Sequence, residues 1–229
     1  MSDFIGDRAT IQVGIGAIPE AIVAMLHDRR DLGVHSGMIA DSVVDLMERG
    51  VVTNAYKGID AGITVSGVLF GTERLYRFAH HNPQIKLCQT SHTHAAASLA
   101  RLNKLVSINS ALEVDLTGQV NAEAIGSDYI GAVGGQVDFV RAAAQSEGGA
   151  SIIALGALGK TGDTKIVARL SGPVTTARSD VDVVATEYGA VRLQGLSLRQ
   201  RIKAMISIAA PEHREILAKQ AKEVWGEWV

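Results

Sequence analysis

The chain has 229 residues, 47% of them hydrophobic and 20% charged. This is globular composition, with enough length to bury a core in one large domain or two small ones. The 22 lysines and arginines nearly balance the 24 aspartates and glutamates, leaving a net charge of −2. No strong field therefore points to nucleic acid or an anionic membrane as partner. The single cysteine, Cys88, excludes an internal disulfide framework and a cysteine-based zinc site.

The opening residues MSDFIGDRATIQVG carry no basic segment followed by a long apolar one, so no secretory leader is expected. No stretch approaches the roughly 20 apolar residues of a membrane span. A cytoplasmic location is the expectation. The 24 glycines and only 4% aromatics suit the close strand–helix packing of α/β folds.

In chain order, residues 10–13 read as a short strand entering the turn Gly14-Ile15-Gly16, with Pro19 placed where a helix can begin. Residues 20–27 continue as an apolar-faced helix, 32–35 as a short strand, and 41–49 as a second helix stopped by Gly50. A strand over 63–70 precedes a helix over 72–79 that Thr72 can cap. After Pro83 come a strand over 85–88, a helix over 95–102 and a strand over 105–108. Residues 111–116 and 119–121 flank the turn Thr117-Gly118 and read as a hairpin. The loop 131–135 leads to a helix over about 137–145. Further strands fall at 151–155, 165–169 and 181–186, and helices at 198–209 and 211–224. Strands alternating with helices predict a mostly parallel or mixed sheet with helices on its faces.

Several constellations bear on chemistry. Gly14-Ile15-Gly16-Ala17-Ile18-Pro19 leaves a strand and enters a helix. Backbone amides at such a turn bind anions or a developing oxyanion, although a purely structural turn has the same sequence. The turn is neither a dinucleotide fingerprint nor a Walker loop. Gly134-Gly135-Gln136 admits the same two readings. His80-His81 and Ser91-His92-Thr93-His94 lack metal-ligand spacing and read as polar loop, so no metal site is predicted. Asp41, Glu113, Asp115, Asp138 and Glu187 are carboxylates near loops. No G-x-S-x-G element is present.

Five segments occur in order over almost the whole chain: QVGIGAIPEAI from Gln12, LGVHSGMIADSVVDLMERGVVTN from Leu32, NSALEVDLTGQVNAEAIG from Asn109, GGQVDFVRAAA from Gly134, and VDVVATEYGAVRLQGLSLRQR from Val181. Together they resemble the C-terminal half of the acetyl-CoA hydrolase/transferase family, which includes 4-hydroxybutyrate and butyryl-CoA:acetate CoA-transferases. The resemblance implies a class I CoA-transferase-like open α/β domain with a mixed, mostly parallel sheet. It implies one C-terminal-type domain over residues 1–229, with coenzyme A or acyl-CoA as substrate. In that family a glutamate attacks the acyl-CoA and passes through an acyl anhydride to a glutamyl-CoA thioester, while loop amides hold the oxyanion. By motif, Gly14, Ile15, Gly16, Ala17 and Ile18 form the first CoA-contacting loop. Gly134, Gly135 and Gln136 form the second, and Asn109 helps hold the CoA side.

The chain departs from the family pattern at Gly37. His35-Ser36-Gly37-Met38 puts glycine where the nucleophilic glutamate aligns. His94-Ala95 stands where many members have Asn-Asp, and Ala210 where they have His. Family members are also longer, which implies a partner chain supplying an N-terminal half, or a fragment, and an oligomer. The expected function is an acyl-CoA-binding subunit of CoA-transferase or acyl-CoA hydrolase type. Without the glutamate, hydrolysis is chemically simpler than transfer: Gly37 would leave a gap open to water, with His35 or Asp41 as base. The alternative is a non-catalytic CoA-binding or partner subunit of a split CoA-transferase. A third reading puts a nucleotide in the glycine loops.

Overall fold

The computed structural model describes residues 4–226. The fold is α/β with a mixed, mostly parallel arrangement of strands. Its contacts group the residues into two compact units, the first running to Asn109 and adding Asp138–Ser151, the second comprising Ser110–Val137 and the chain from Ile152 on.

The first unit alternates β1 (Thr10–Val13), α1 (Ala17–Ala24), β2 (Gly33–Ile39), α2 (Asp41–Glu48), β3 (Thr64–Leu69), α3 (Glu73–Ala79), β4 (Ile85–Leu87), α4 (Thr90–Thr93), α5 (Ala96–Leu99) and β5 (Leu105–Ser110). The helix α6 (Gln136–Gln145) returns to it from Asp138 on. Its strands run in the order β5-β1-β2-β3-β4, all parallel. Ile11, Val34, Val65, Val106 and Ile108 are fully buried, as expected where helices cover a parallel sheet. One apolar cluster joins Ile59, Leu99, Leu102 and Leu105 to Phe139 and Ala143 of α6.

The second unit contains β6 (Glu113–Asp115), β7 (Val120–Asn121), β8 (Ala124–Ile125), β9 (Asp128–Tyr129), β10 (Ala150–Ala154), β11 (Ile166–Val167), β12 (Val183–Thr186), β13 (Gly189–Arg192), α7 (Leu198–Ser207) and α8 (Arg214–Trp225). The strand β12 runs parallel to β10 and antiparallel to β13. A small sheet orders β11-β6-β7, and β8 pairs with β9 as a hairpin. Ser197 begins α7 with a reciprocal capping box to Gln200. Among the described residues no helix is long and apolar enough to cross a membrane.

The expected elements are present, with shifted ends. The expected strand 32–35 continues to Ile39 because Ser36, Met38 and Ile39 pair with β3. The expected helix 20–27 begins at Ala17 and gives way to a 3-10 turn over Leu26–Asp28. The expected helix 95–102 shortens to Ala96–Leu99, and a helical turn, Thr90–Thr93, precedes it where a polar loop was expected.

Candidate active site

The site residues of the first unit gather at the C-terminal ends of its parallel strands, where open α/β sheets take their ligands. Gly37 falls opposite Gly67, between the pairs Ser36–Ser66 and Met38–Val68. The β1–β2 register pairs Ile11 with Val34 and, carried three residues on, sets Gly14 opposite Gly37. Ser36 confirms that alignment, because its hydroxyl accepts from the Val13 N–H at 3.2 Å and donates to the Val13 carbonyl at 3.1 Å. Three neighbouring strands thus carry glycine in one row. The backbone packs too closely there for side chains: a Cβ on Gly67 would lie 2.8 Å from the Gly37 carbonyl oxygen, inside any van der Waals distance. A Cβ on Gly14 would lie 2.6 Å from Asn109 Oδ1. Asn109 and Gln12, both buried, exchange two amide hydrogen bonds of 3.1 and 3.0 Å. That pair fixes both amides beside the row and leaves each one N–H for other use.

The space beside Gly37 is not the open gap expected from the sequence. A Cβ there would lie 3.0 Å from both Cε1 and Nε2 of His94, so the imidazole covers the glycine. His94 Nδ1 lies 2.7 Å from the hydroxyl of Thr93, which is fully buried. Its ring packs edge-on against Phe139 with centroids 4.9 Å apart. A residue read from sequence as part of a polar loop therefore stands over the position that lacks a side chain. The signal available in the sequence was the joint departure at residues 37 and 94.

The two expected bases have other duties. His35 is fully buried, with Nε2 3.2 Å from the Thr93 carbonyl oxygen. Burial, reinforced by the nearby Lys57 charge, holds its pKa down at about 4, so the imidazole is neutral and enclosed. Asp41 opens α2 and accepts from the Thr72 N–H at 2.8 Å and the Thr72 hydroxyl at 2.7 Å. Those bonds keep its carboxyl below the usual carboxylate range and make it a weaker base. Sequence reading also missed Lys57, a fully buried lysine whose Nζ donates to the Ile63 carbonyl at 2.5 Å. Burial lowers its pKa to about 8.

The turn from β1 into α1 has the geometry of an anion site. Gly16 occupies the N-cap with φ of 132° and offers no side chain to the first turn, so the Ala17 and Ile18 amides have no partner within the helix. Ile15, Gly16 and Ala17 are exposed. They line a cleft of about 340 Å³ with Glu20, Met38, Asp41 and Phe70. One Glu20 carboxylate oxygen is buried, with no hydrogen-bond partner among the described residues.

In the second unit, Gly134 has φ of 55°, and a Cβ there would meet only the Ala132 carbonyl oxygen, at 3.9 Å. Gln136 donates to the Thr176 hydroxyl at 3.1 Å. The acidic residues of the segment ALEVDLTGQVN are structural. Glu113 accepts from Asn121, from the N–H and hydroxyl of Ser171 and from the Gly172 N–H. Asp115, fully buried, accepts from Thr117 and Gln119 and closes the β6–β7 turn. Among the described residues no three His, Cys, Asp or Glu side chains are arranged to hold a metal.

A family model described as the acetyl-CoA hydrolase/transferase C-terminal domain matches residues 71–221. The chain belongs to the acetyl-CoA hydrolase/transferase family. Among curated family relatives, the succinyl-CoA:acetate/propanoyl-CoA:succinate CoA transferase of Fasciola hepatica is 44% identical over 223 residues, 96% of this chain and 47% of that protein. The 4-hydroxybutyrate coenzyme A transferase of Clostridium kluyveri is 41% identical, covering 97% and 52% respectively. An acetyl-CoA hydrolase of Kluyveromyces lactis is 29% identical over 90% of this chain and 39% of its own. The crystal structure of RipA from Yersinia pestis superposes with a TM-score of 0.92 at 39% identity, covering 97% of this chain and 51% of that one. The chain spans about half the length of these two CoA-transferase relatives.

Proposed function

We propose that the chain binds acyl-CoA at the C-terminal edge of the first unit's sheet and contributes to cleavage of the thioester as an acyl-CoA hydrolase or CoA-transferase subunit. The observation that carries this reading is the glycine row Gly14–Gly37–Gly67, which lies beside a turn with unpartnered amides. The row brings three strand ends close together beside that turn, and the Ala17 and Ile18 amides suit a phosphate or an oxyanion. The names of the family relatives, CoA-transferases and acetyl-CoA hydrolases alike, support the substrate class. Gly134, Gly135 and Gln136 are assigned to CoA contact by motif alone.

Gly37 stands where the resemblance places a nucleophilic glutamate. A chain without that carboxylate cannot form the glutamyl thioester at this position, which favours hydrolysis by water over transfer. The partner that would supply the remaining length, an oligomeric state and a cytoplasmic location belong to the same proposal. A second reading, a non-catalytic CoA-binding or partner subunit, draws on the same glycine and on the engagement of His35 and Asp41. Incubation with acetyl-, butyryl- and succinyl-CoA, followed by free thiol, separates the two. Thiol release is the expected result. Calorimetric binding of CoA without thiol release would establish the second reading, and neither binding nor release would reject both.

A further inference from the structure

We infer that His94 is the general base of the site, with its Nε2 taking the proton of the water that attacks the thioester. The inference rests on the acyl-CoA reading above. It starts from the direction of a hydrogen-bond chain. The Gln89 carbonyl, which can only accept, receives the Thr93 hydroxyl at 3.4 Å. Assigning the one hydrogen of that hydroxyl to the carbonyl makes the oxygen an acceptor toward His94. In that arrangement Nδ1 of His94, 2.7 Å away, carries the ring proton and donates it. Nε2 is left with its lone pair free, and it has no hydrogen-bond partner among the described residues. This is the tautomer a base requires, set by the bond on the other nitrogen.

Position and rigidity support the same role. Nε2 lies 3.0 Å from the point a Gly37 Cβ would occupy, so this nitrogen stands beside the glycine row. The ring is held between a fully buried threonine and the edge contact with Phe139, which is 1% exposed. A side chain locked in this way is pre-organised for proton transfer. His35, on the same face of β2, is enclosed, whereas His94 is half-buried and keeps a route to solvent. In the reaction, a water oxygen forms a bond to the thioester carbonyl carbon as its proton passes to Nε2. The C–S bond then breaks, and CoA leaves as thiolate and takes the proton back from the imidazolium. A carboxylic acid is released and ionises. No oxidant, metal or further reactant enters the balance.

The test uses the chain as purified, with any companion polypeptide it carries, and butyryl-CoA as probe. His94→Gln should lower kcat for thiol release by about 10²-fold or more while CoA binding by calorimetry stays within about twofold, the expected separation for a group that acts only in the chemical step. His94→Gly should bind CoA, turn over slowly and regain rate on addition of free imidazole, a response that a merely structural role would not give. Nitrogen-15 correlation spectra at neutral pH should show His94 protonated on Nδ1. The inference is overturned if folded His94→Gln keeps the parent rate, if imidazole restores nothing to a folded His94→Gly, if the ring proton is on Nε2, or if an acyl group accumulates on His94. Parent protein that binds CoA but releases no thiol also overturns it while leaving CoA binding intact. Parent protein that does neither rejects the acyl-CoA reading itself, and the base assignment with it.

Discussion

His35 and Gly37 lie two residues apart on one face of β2 and meet opposite environments. His35 is sealed under α4, and among the described residues its ring bonds only to the Thr93 carbonyl, with Nδ1 buried and unpaired. Such a ring can be folded neutral but resists protonation. The free imidazole titrates near 6.5 and the folded one near 4. Unfolded chain therefore binds a proton that folded chain does not between those values. Stability is full above pH 6.5 and falls as pH drops toward 4, by about 3 kcal/mol for this one group. Urea unfolding midpoints at pH 7 and pH 4.5 should show the drop, and His35→Asn should flatten it; an unchanged slope in that variant would assign the pH dependence to other groups. Two residues on, a side chain at position 37 would run into His94. A glutamate restored at 37 thus needs the imidazole displaced, which ties the two positions together physically. The sequence showed departures from the family pattern at both residues but not their contact, because His94 lies 57 positions from Gly37 in a segment that reads as polar loop.

At the scale of elements, the alternation of strands and helices was readable because glycine, proline and capping residues punctuate apolar runs. The end of β2 was not. Ser36-Gly37-Met38-Ile39 has a glycine inside and no alternation, and the expected strand ended at His35; pairing with β3 carries it on. The two-residue strands β8 and β9 are too short for any periodicity to register. By contrast the β6–β7 hairpin was expected from Thr117-Gly118, and the structure adds its cause. Asp115 gathers the Thr117 N–H and hydroxyl, the Gln119 N–H and the Gln119 side-chain amide at 2.7–3.0 Å. Asp115→Ala leaves those donors without their acceptor in a buried turn and should cost about 2–4 kcal/mol, measurable by urea unfolding. A loss below about 0.5 kcal/mol would show that the turn is held by its backbone bonds instead.

For the whole molecule, the family and the parallel architecture were legible, because five ordered segments carry the resemblance and the strands of the first unit follow from their apolar runs. The occupant of the Gly37 space was not, since it depends on long-range packing of α4 and α6 on β2. The central claim is that CoA lies on the turn after β1 and along the glycine row. Another cleft of about 750 Å³, lined by Arg8, Tyr56 and Lys104, offers a competing basic location. Hydrogen exchange of the whole chain with and without saturating CoA tests the claim most directly. On CoA addition the backbone amides of residues 14–18 should slow while those around Arg8, Tyr56 and Lys104 do not. Protection confined to the second cleft, or none at residues 14–18 with CoA bound, would contradict it.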